Sequence, residues 1–479
     1  MPLDAAAAYR RASEAVRDEV DVVLPVAEGA LPPALRGVLY RNGPGKMEVF
    51  GTPYQHPFDG DGMVTRLAFD GRGVRYRNRF VRTTEYLAEA RAGRMLFRSF
   101  GTNLPGGLRR NFLRLHFKNA ANTSVVVHGG KLLALWEGGL PHELDPVTLE
   151  TRGRYDYDGR LRNRTSLLGR LLAPELPFSA HPKQDVETGE LVNFGTLLGP
   201  ASQLVLYRVR PDGRMHAPSF APLPALAFIH DFVLTRNYCV FFLSSVAFRV
   251  AATLAGLETP VDSLSTSDAP ASFLVVPRDG RPPVTIPARP GFLFHFVNGH
   301  EDPEGRLVLD GMRMDALLPA AVLRALLDGT PTDVPASGPT RYVVDLAGRT
   351  ASQTPLGETP AELPTIDRRR TGRPYRHFWA IAGRPGQRDP FFTRVLHADH
   401  EGGEVVRDFA PDLPGEPLFV PLTDQVEGEG LVLSLVYRAA SHRTDLYVLR
   451  SNDLGTVCRL ELPHHVPPGF HGTWVDAAS

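Results

Sequence analysis

Cysteine is scarce in this chain, with only Cys239 and Cys458 among 479 residues. Both sit in apolar stretches, NYCVFF and GTVCRL. Two such residues exclude a disulfide framework and a cysteine-based zinc pattern, and they read as small buried hydrophobes in a reducing compartment. A surplus of charge is also missing, since 53 basic residues meet 53 acidic ones. That balance lacks the electrostatic footprint of a nucleic-acid binder, so an uncharged or apolar small molecule is the expected partner and nucleic acid is not. Long hydrophobic runs are absent as well. No stretch reaches the roughly 18 uncharged apolar residues of a transmembrane helix. The first residues, MPLDAAAAYRRASEAV, lack the apolar run and cleavage site of a secretion signal. The expected compartment is the cytoplasm, with residues 1–30 forming a short surface helix and lead-in. Phosphate loops are missing too. RNGPG at Arg41–Gly45 does not carry the GxxxxGK[ST] arrangement. DGDG at Asp59–Gly62 lacks the remaining ligands of a calcium loop and reads as a tight turn.

What the chain has in quantity is turn, with Gly 45 and Pro 43, between short runs rich in Val, Leu, Tyr and Phe. This pattern predicts many short strands. One feature recurs: an apolar strand, an Asp-led tight turn, then another strand. It appears at Asp70, Asp145, Asp212, Asp279, Asp345, Asp399 and Asp453, about every 64 residues. Asp–Gly and Asp–Pro supply hairpin geometry. Seven returns predict an all-β, seven-bladed β-propeller, with loops and short helices capping one face. No linker splits the chain, so residues 1–479 are expected to form a single domain. Two segments interrupt the strands. Residues 161–178 pair basic residues with leucines and Phe178, and residues 243–257 place Leu243, Val246, Val250, Leu254 and Leu257 on one helical face. Either a bilayer-facing surface or a core-packed cap would use them.

Four of the sixteen histidines follow apolar or aromatic residues: His181 in PFSAHPKQD, His230 in AFIHDFVL, His295 in FLFHFVNGH and His471 in PPGFHGTWV. Taken singly, each reads as a satisfied core histidine. Taken with the repeat, they fall in four different blades, whose innermost strands converge on one axis. Four neutral imidazoles there suit Fe(II), Cu or Zn. Metal-bound imidazoles usually give their second N–H to a carboxylate. The acids most tightly set among Leu and Pro are Glu150, Glu362 and Glu416.

The chain resembles the carotenoid cleavage oxygenase family, and within it the bacterial enzymes acting on apocarotenoids. The resemblance is carried by LPPALRGVLYRNGPG, HPFDGDGMVTRLAF, KNAANTSVVV, LDPVTLET, SAHPKQD, HDFVLTRNY, FHFVNGHED, GEPLFVP and GFHGTWV, in that order. It implies a propeller with non-haem Fe(II) on its axis, held by His181, His230, His295 and His471. It also implies Glu150, Glu362 and Glu416 as their carboxylate partners, and O2 as co-substrate. The implied reaction inserts both atoms of O2 across one alkene bond of an apolar conjugated substrate and releases two carbonyl products. The substrate would arrive from a membrane or micelle through peripheral contact, and Trp136, Phe294 and Phe296 are the expected pocket walls. Pro57, Trp136, Leu149 and Arg236 depart from residues common in the family and bear on substrate choice. Three rivals stand beside this reading: the same iron chemistry on stilbenoid or phenylpropenoid alkenes, non-oxidative ester isomerohydrolysis, and a non-catalytic propeller that binds partners on its faces.

Overall fold

The computed structural model describes residues 4–165, 173–197, 202–224, 227–267, 269–330 and 332–477. Strands dominate it and group into seven antiparallel sheets arranged as propeller blades, with two small two-stranded sheets beside them. From axis to rim, blade 2 runs Ser124–His128, Lys131–Leu135, His142–Leu144 and Thr151–Arg154. Blade 3 begins at Lys183–Gln184, blade 4 at Val233–Leu234, blade 5 at Phe292–Glu301 and blade 6 at Ala361–Ile366. Blade 7 has a split inner strand, Leu413–Pro414 and Leu418–Pro421. Both chain ends close the ring. Gly472–Asp476 is the inner strand of blade 1, paired with Arg36–Lys46, and Val26–Gly29 is the outer strand of blade 7, paired with Thr456–Glu461.

Each blade is covered on both faces by its neighbours, which is why its middle strands read as unbroken apolar runs rather than alternating ones. Tyr238–Leu243 (YCVFFL) is buried from its second residue onward, while the rim strand Gly403–Asp408 is almost wholly exposed. The core is accordingly split among the interfaces. Between blades 4 and 5, Val240, Phe242 and Phe273 meet Leu307, Leu309 and Tyr342. Between blades 6 and 7, Trp379 and Val395 meet Val432 and Leu449. Similar clusters lie at the other five interfaces.

The seven Asp-led turns all fall at the same place, between the third and fourth strands of successive blades. In every one the Asp Oδ1 accepts the backbone N–H two residues on, as from Arg72, Val147, Arg214, Arg281, Ala347, Glu401 and Gly455. A short carboxylate in that geometry closes a turn locally, without help from the rest of the fold.

Three expectations change. The N-terminal helix, Ala5–Ala12, is not a surface helix: its Ala6, Ala8 and Ala12 are buried, against the helix Ala320–Asp328 and against Leu413 and Tyr437. Residues 243–257 do not form one helical face. Leu243 ends a buried blade strand, Val246–Phe248 is a further strand, and only Val250–Ala255 is helical. In the segment 161–178, residues 166–172 lie outside the described residues, while Leu161, Leu176 and Phe178 are core side chains rather than exposed ones. No helix among the described residues is long and apolar enough to cross a membrane.

Candidate metal centre

Inner strands bring the four histidines together. His181 lies just before Lys183–Gln184, His230 before Val233–Leu234 and His471 before Gly472–Asp476. His295 lies within Phe292–Glu301, where the register shifts between Leu293 and Phe296. Such a bulge re-aims a side chain out of the ordinary alternation. One nitrogen from each ring falls within a single group whose members lie no more than 4.8 Å apart. Ring centroids are 4.3 Å apart for His181 and His230, 4.7 Å for His181 and His471, and 4.9 Å for His295 and His471.

Carboxylates stand behind the rings. His295 Nδ1 is 2.6 Å from Glu362 Oε2, and His471 Nδ1 is 2.8 Å from Glu416 Oε1. Both acids sit on innermost strands, Glu362 beside a register shift and Glu416 in the split of blade 7. The third acid is Glu137, not Glu150. Glu137 Oε1 lies 3.0 Å from His181 Nδ1 and 3.5 Å from His230 Nδ1. Glu150 is exposed in the rim hairpin of blade 2, where its carbonyl accepts the Asp145 N–H. A third-to-fourth strand hairpin is remote from the axis by construction, so Glu150 cannot back an axial imidazole. Glu137 carries a readable signal: it follows the apolar strand Lys131–Leu135 and sits between Trp136 and a glycine pair.

The electrostatics separate the four rings. Burial and then the neighbouring imidazoles hold His181 and His230 well below the ordinary histidine range. His471 is also lowered, by burial that Glu416 partly offsets. For His295 burial is outweighed by Glu362, and the ring is raised. Burial favours the protonated form of Glu416, but Arg41, His471 and Arg368 prevail and hold it down at about 2. Glu137 is pushed well above the carboxylate range by burial and by Asp231 nearby.

This donor set fits a cation. With Nδ1–H of His181 and His471 turned to carboxylates, both Nε2 atoms present lone pairs, and they lie 3.0 Å apart. Two lone pairs at that distance repel unless a positive centre lies between them. Two imidazole nitrogens at right angles on one metal, each at about 2.1 Å, would stand about 3.0 Å apart. The buried His295 Nε2 has no hydrogen-bond partner among the described residues.

His230, His295 and His471 line a cavity of about 740 Å³, within the roughly 300–1,000 Å³ of small-molecule sites. Its walls are largely apolar. Phe294 packs edge-on to His230 at 5.3 Å, and Phe228 lies beyond it. Trp136 lines the same space, its indole pressed so close to Gly138 and Gly139 that a Cβ on either would fall 2.9 or 3.2 Å from the ring. Phe296 does not line the cavity. It packs in the core between blades 4 and 5, and its N–H is held by Asp231 at 2.9 Å.

Residues 13–476 match the retinal pigment epithelial membrane protein family, the carotenoid oxygenases. Apocarotenoid-15,15'-oxygenase of Synechocystis sp. is 36% identical over 97% of this chain and 96% of its own length. Lignostilbene-alpha,beta-dioxygenase isozyme III of Sphingomonas paucimobilis is 28% identical over 97% and 96%. The crystal structure of cobalt-substituted Synechocystis ACO superposes with a TM-score of 0.90 at 34% identity, covering 98% of this chain and 99% of that one. The chain belongs to the carotenoid oxygenase family.

Proposed function

We propose that this protein is a non-haem Fe(II)-dependent dioxygenase that cleaves one C=C bond of an apolar conjugated substrate, an apocarotenoid, into two carbonyl products. The observation that carries the reading is the convergence of four imidazole nitrogens, backed by three carboxylates, at an apolar cavity. His181, His230, His295 and His471 would hold the iron. Bound there, Fe(II) supplies the open-shell centre at which triplet O2 can react with a closed-shell alkene.

The protein's own groups do the rest. Glu137, Glu362 and Glu416 accept Nδ1–H, which fixes the tautomer and keeps each Nε2 lone pair aimed inward. Phe228, Phe294 and Trp136 present flat apolar walls that keep an extended polyene in line and exclude water. In balance, R–CH=CH–R′ and O2 give RCHO and R′CHO, with one oxygen atom in each product. Phenolic stilbenes suit the walls less well. Among the described residues Arg41 is the one cationic side chain of the lining, and it is engaged with Glu416 rather than free for a phenolate.

Apolar substrates are delivered by lipid, and the surface offers a place for contact. Phe112 and Leu113 are 57% and 60% exposed, Leu257 is 67% exposed, and the Leu113 N–H bonds the Leu254 carbonyl at 3.0 Å. With Arg109, Arg110 and Arg114 beside them, these side chains have the composition of a peripheral membrane contact.

The deciding experiment is anaerobic Fe(II) loading followed by incubation with apocarotenals and a hydroxystilbene under 18O2. Two labelled carbonyl fragments from the apocarotenal are expected. Cleavage confined to the stilbene would transfer the proposal to that class, and product formed without O2 would end it.

A further inference from the structure

Two guanidinium groups grip the backbone around His471, and the reaction outlined above gives them no part. Arg41 lies on the strand Arg36–Lys46, directly opposite Gly472. One arm of its fork donates to Glu416 Oε2, and the other donates to the Phe470 carbonyl at 3.1 Å. Glu416 spends its Oε1 on His471 Nδ1 at 2.8 Å, and its Oε2 also accepts the Gly472 N–H at 3.0 Å. Arg368 reaches the same stretch, donating to the Gly472 carbonyl at 2.7 Å and to the Thr473 hydroxyl. Every residue from Phe470 to Thr473 is thus tied to Arg41, Glu416 or Arg368. Arg41 and Glu416 are both buried, at 6% and 5% exposure. Their packing leaves no room beside Gly472, where a Cβ would meet Arg41 Cδ at 2.5 Å.

Neither of the other two acids has such an anchor. Glu362 Oε2 serves His295 and also accepts the Leu363 N–H, and its other oxygen has no hydrogen-bond partner among the described residues. Glu137 is shared between two rings. Among the described residues neither makes an ion pair with Lys or Arg.

Resting on the reading of the four histidines as the metal set, we infer that Arg41 is a positioning residue. Its fork fixes Glu416 and the Phe470 carbonyl in one plane and so aims the His471 imidazole at the axis. A planar fork can hold a carboxylate and a carbonyl at once; an ammonium is a point charge that cannot impose the same geometry. Arg41→Lys therefore keeps the charge beside Glu416 and removes the alignment.

The test is Co(II) binding to the full-length metal-free chain, by competition with a chelator and by the visible ligand-field spectrum, with circular dichroism as the fold check. Wild type, Arg41→Lys, Glu416→Gln and the double variant are compared. Arg41→Lys is expected to bind Co(II) about 10-fold more weakly, within the 10–100-fold typical of groups that orient metal ligands, and to shift the spectrum. In the Glu416→Gln background the same change is expected to cost nothing further, because the aim is already lost. Wild-type affinity and spectrum in Arg41→Lys would overturn the inference, as would an undiminished loss in the double variant. Failure of Arg41→Lys to fold would also overturn it, making Arg41 a folding residue. A wild-type chain that binds no Co(II) would defeat the metal reading itself.

Discussion

One carboxylate oxygen serves two imidazoles at Glu137, 3.0 Å from His181 and 3.5 Å from His230. Its loss should therefore disturb two rings together. Glu137→Gln is expected to lower metal affinity by about 10–100-fold, because a neutral amide can present N–H to a ring that needs an acceptor. Glu150→Gln should leave Co(II) affinity and activity at wild-type values, the first read by the same titration and the second by the 18O2 cleavage assay. The contrast also marks how far single residues were legible. Singly each histidine reads as a satisfied core residue; the four could be found because the turn repeat places them in four different blades whose inner strands converge. Glu150 was chosen for its Leu and Pro neighbours, yet it stands five residues after Asp145, one of the turns that define the repeat. A residue in a rim hairpin lies at the wrong end of the blade for an axial role, so the turn pattern alone argues against it. Phe296 fails for a related reason: strict alternation does not say which of two nearby aromatics faces the cavity when the strand carries a register shift.

At the scale of turns and strands the chain is easier to read. Seven Asp-led turns were visible because an Asx turn is closed by groups two residues apart and needs no tertiary context. Asp145 is typical, accepting the Val147 and Thr148 N–H groups at 2.9 and 2.7 Å. These bonds hold its carboxyl at about 2, against an ordinary 3.8. A carboxyl lowered in the folded state stabilises above its unfolded value and loses that contribution as pH falls toward about 2. Asp145→Ala is expected to cost about 1 kcal/mol at neutral pH. It should also flatten the acid limb of the stability curve between pH 4 and 2, as followed by urea titration at several pH values. Asp145→Asn should retain most of the neutral-pH stability, since its Oδ1 still accepts. The helix Ala5–Ala12 was legible as a helix but not as a buried one. An alanine-rich, arginine-bearing segment has little hydrophobic pattern of its own, and its burial comes from the close approach that small side chains allow, as where Gly329 meets the Ala6 carbonyl.

For the whole molecule the division of the core among seven interfaces has a direct consequence. No blade has a private core, so the ring should lose its structure together, and we propose that residues 1–479 fold as one unit. The three tryptophans report on separate places: Trp136 at the cavity, Trp379 between blades 6 and 7, and Trp474 in blade 1. Single-tryptophan variants are expected to share one denaturant midpoint, and separated midpoints would show independent parts. The outer surface carries its own prediction. Phe112→Asp with Leu113→Asp should abolish co-sedimentation with phosphatidylcholine vesicles and leave cleavage of detergent-solubilised substrate unchanged.

His471 sits immediately before the strand Gly472–Asp476, which closes blade 1 against Arg36–Lys46. The other three imidazoles come from blades 3, 4 and 5. The imidazole that completes the set is therefore carried in by the segment that seals the circle. A chain with its blades built but unclosed would hold three of the four donors, so sealing the ring and completing the site are one event.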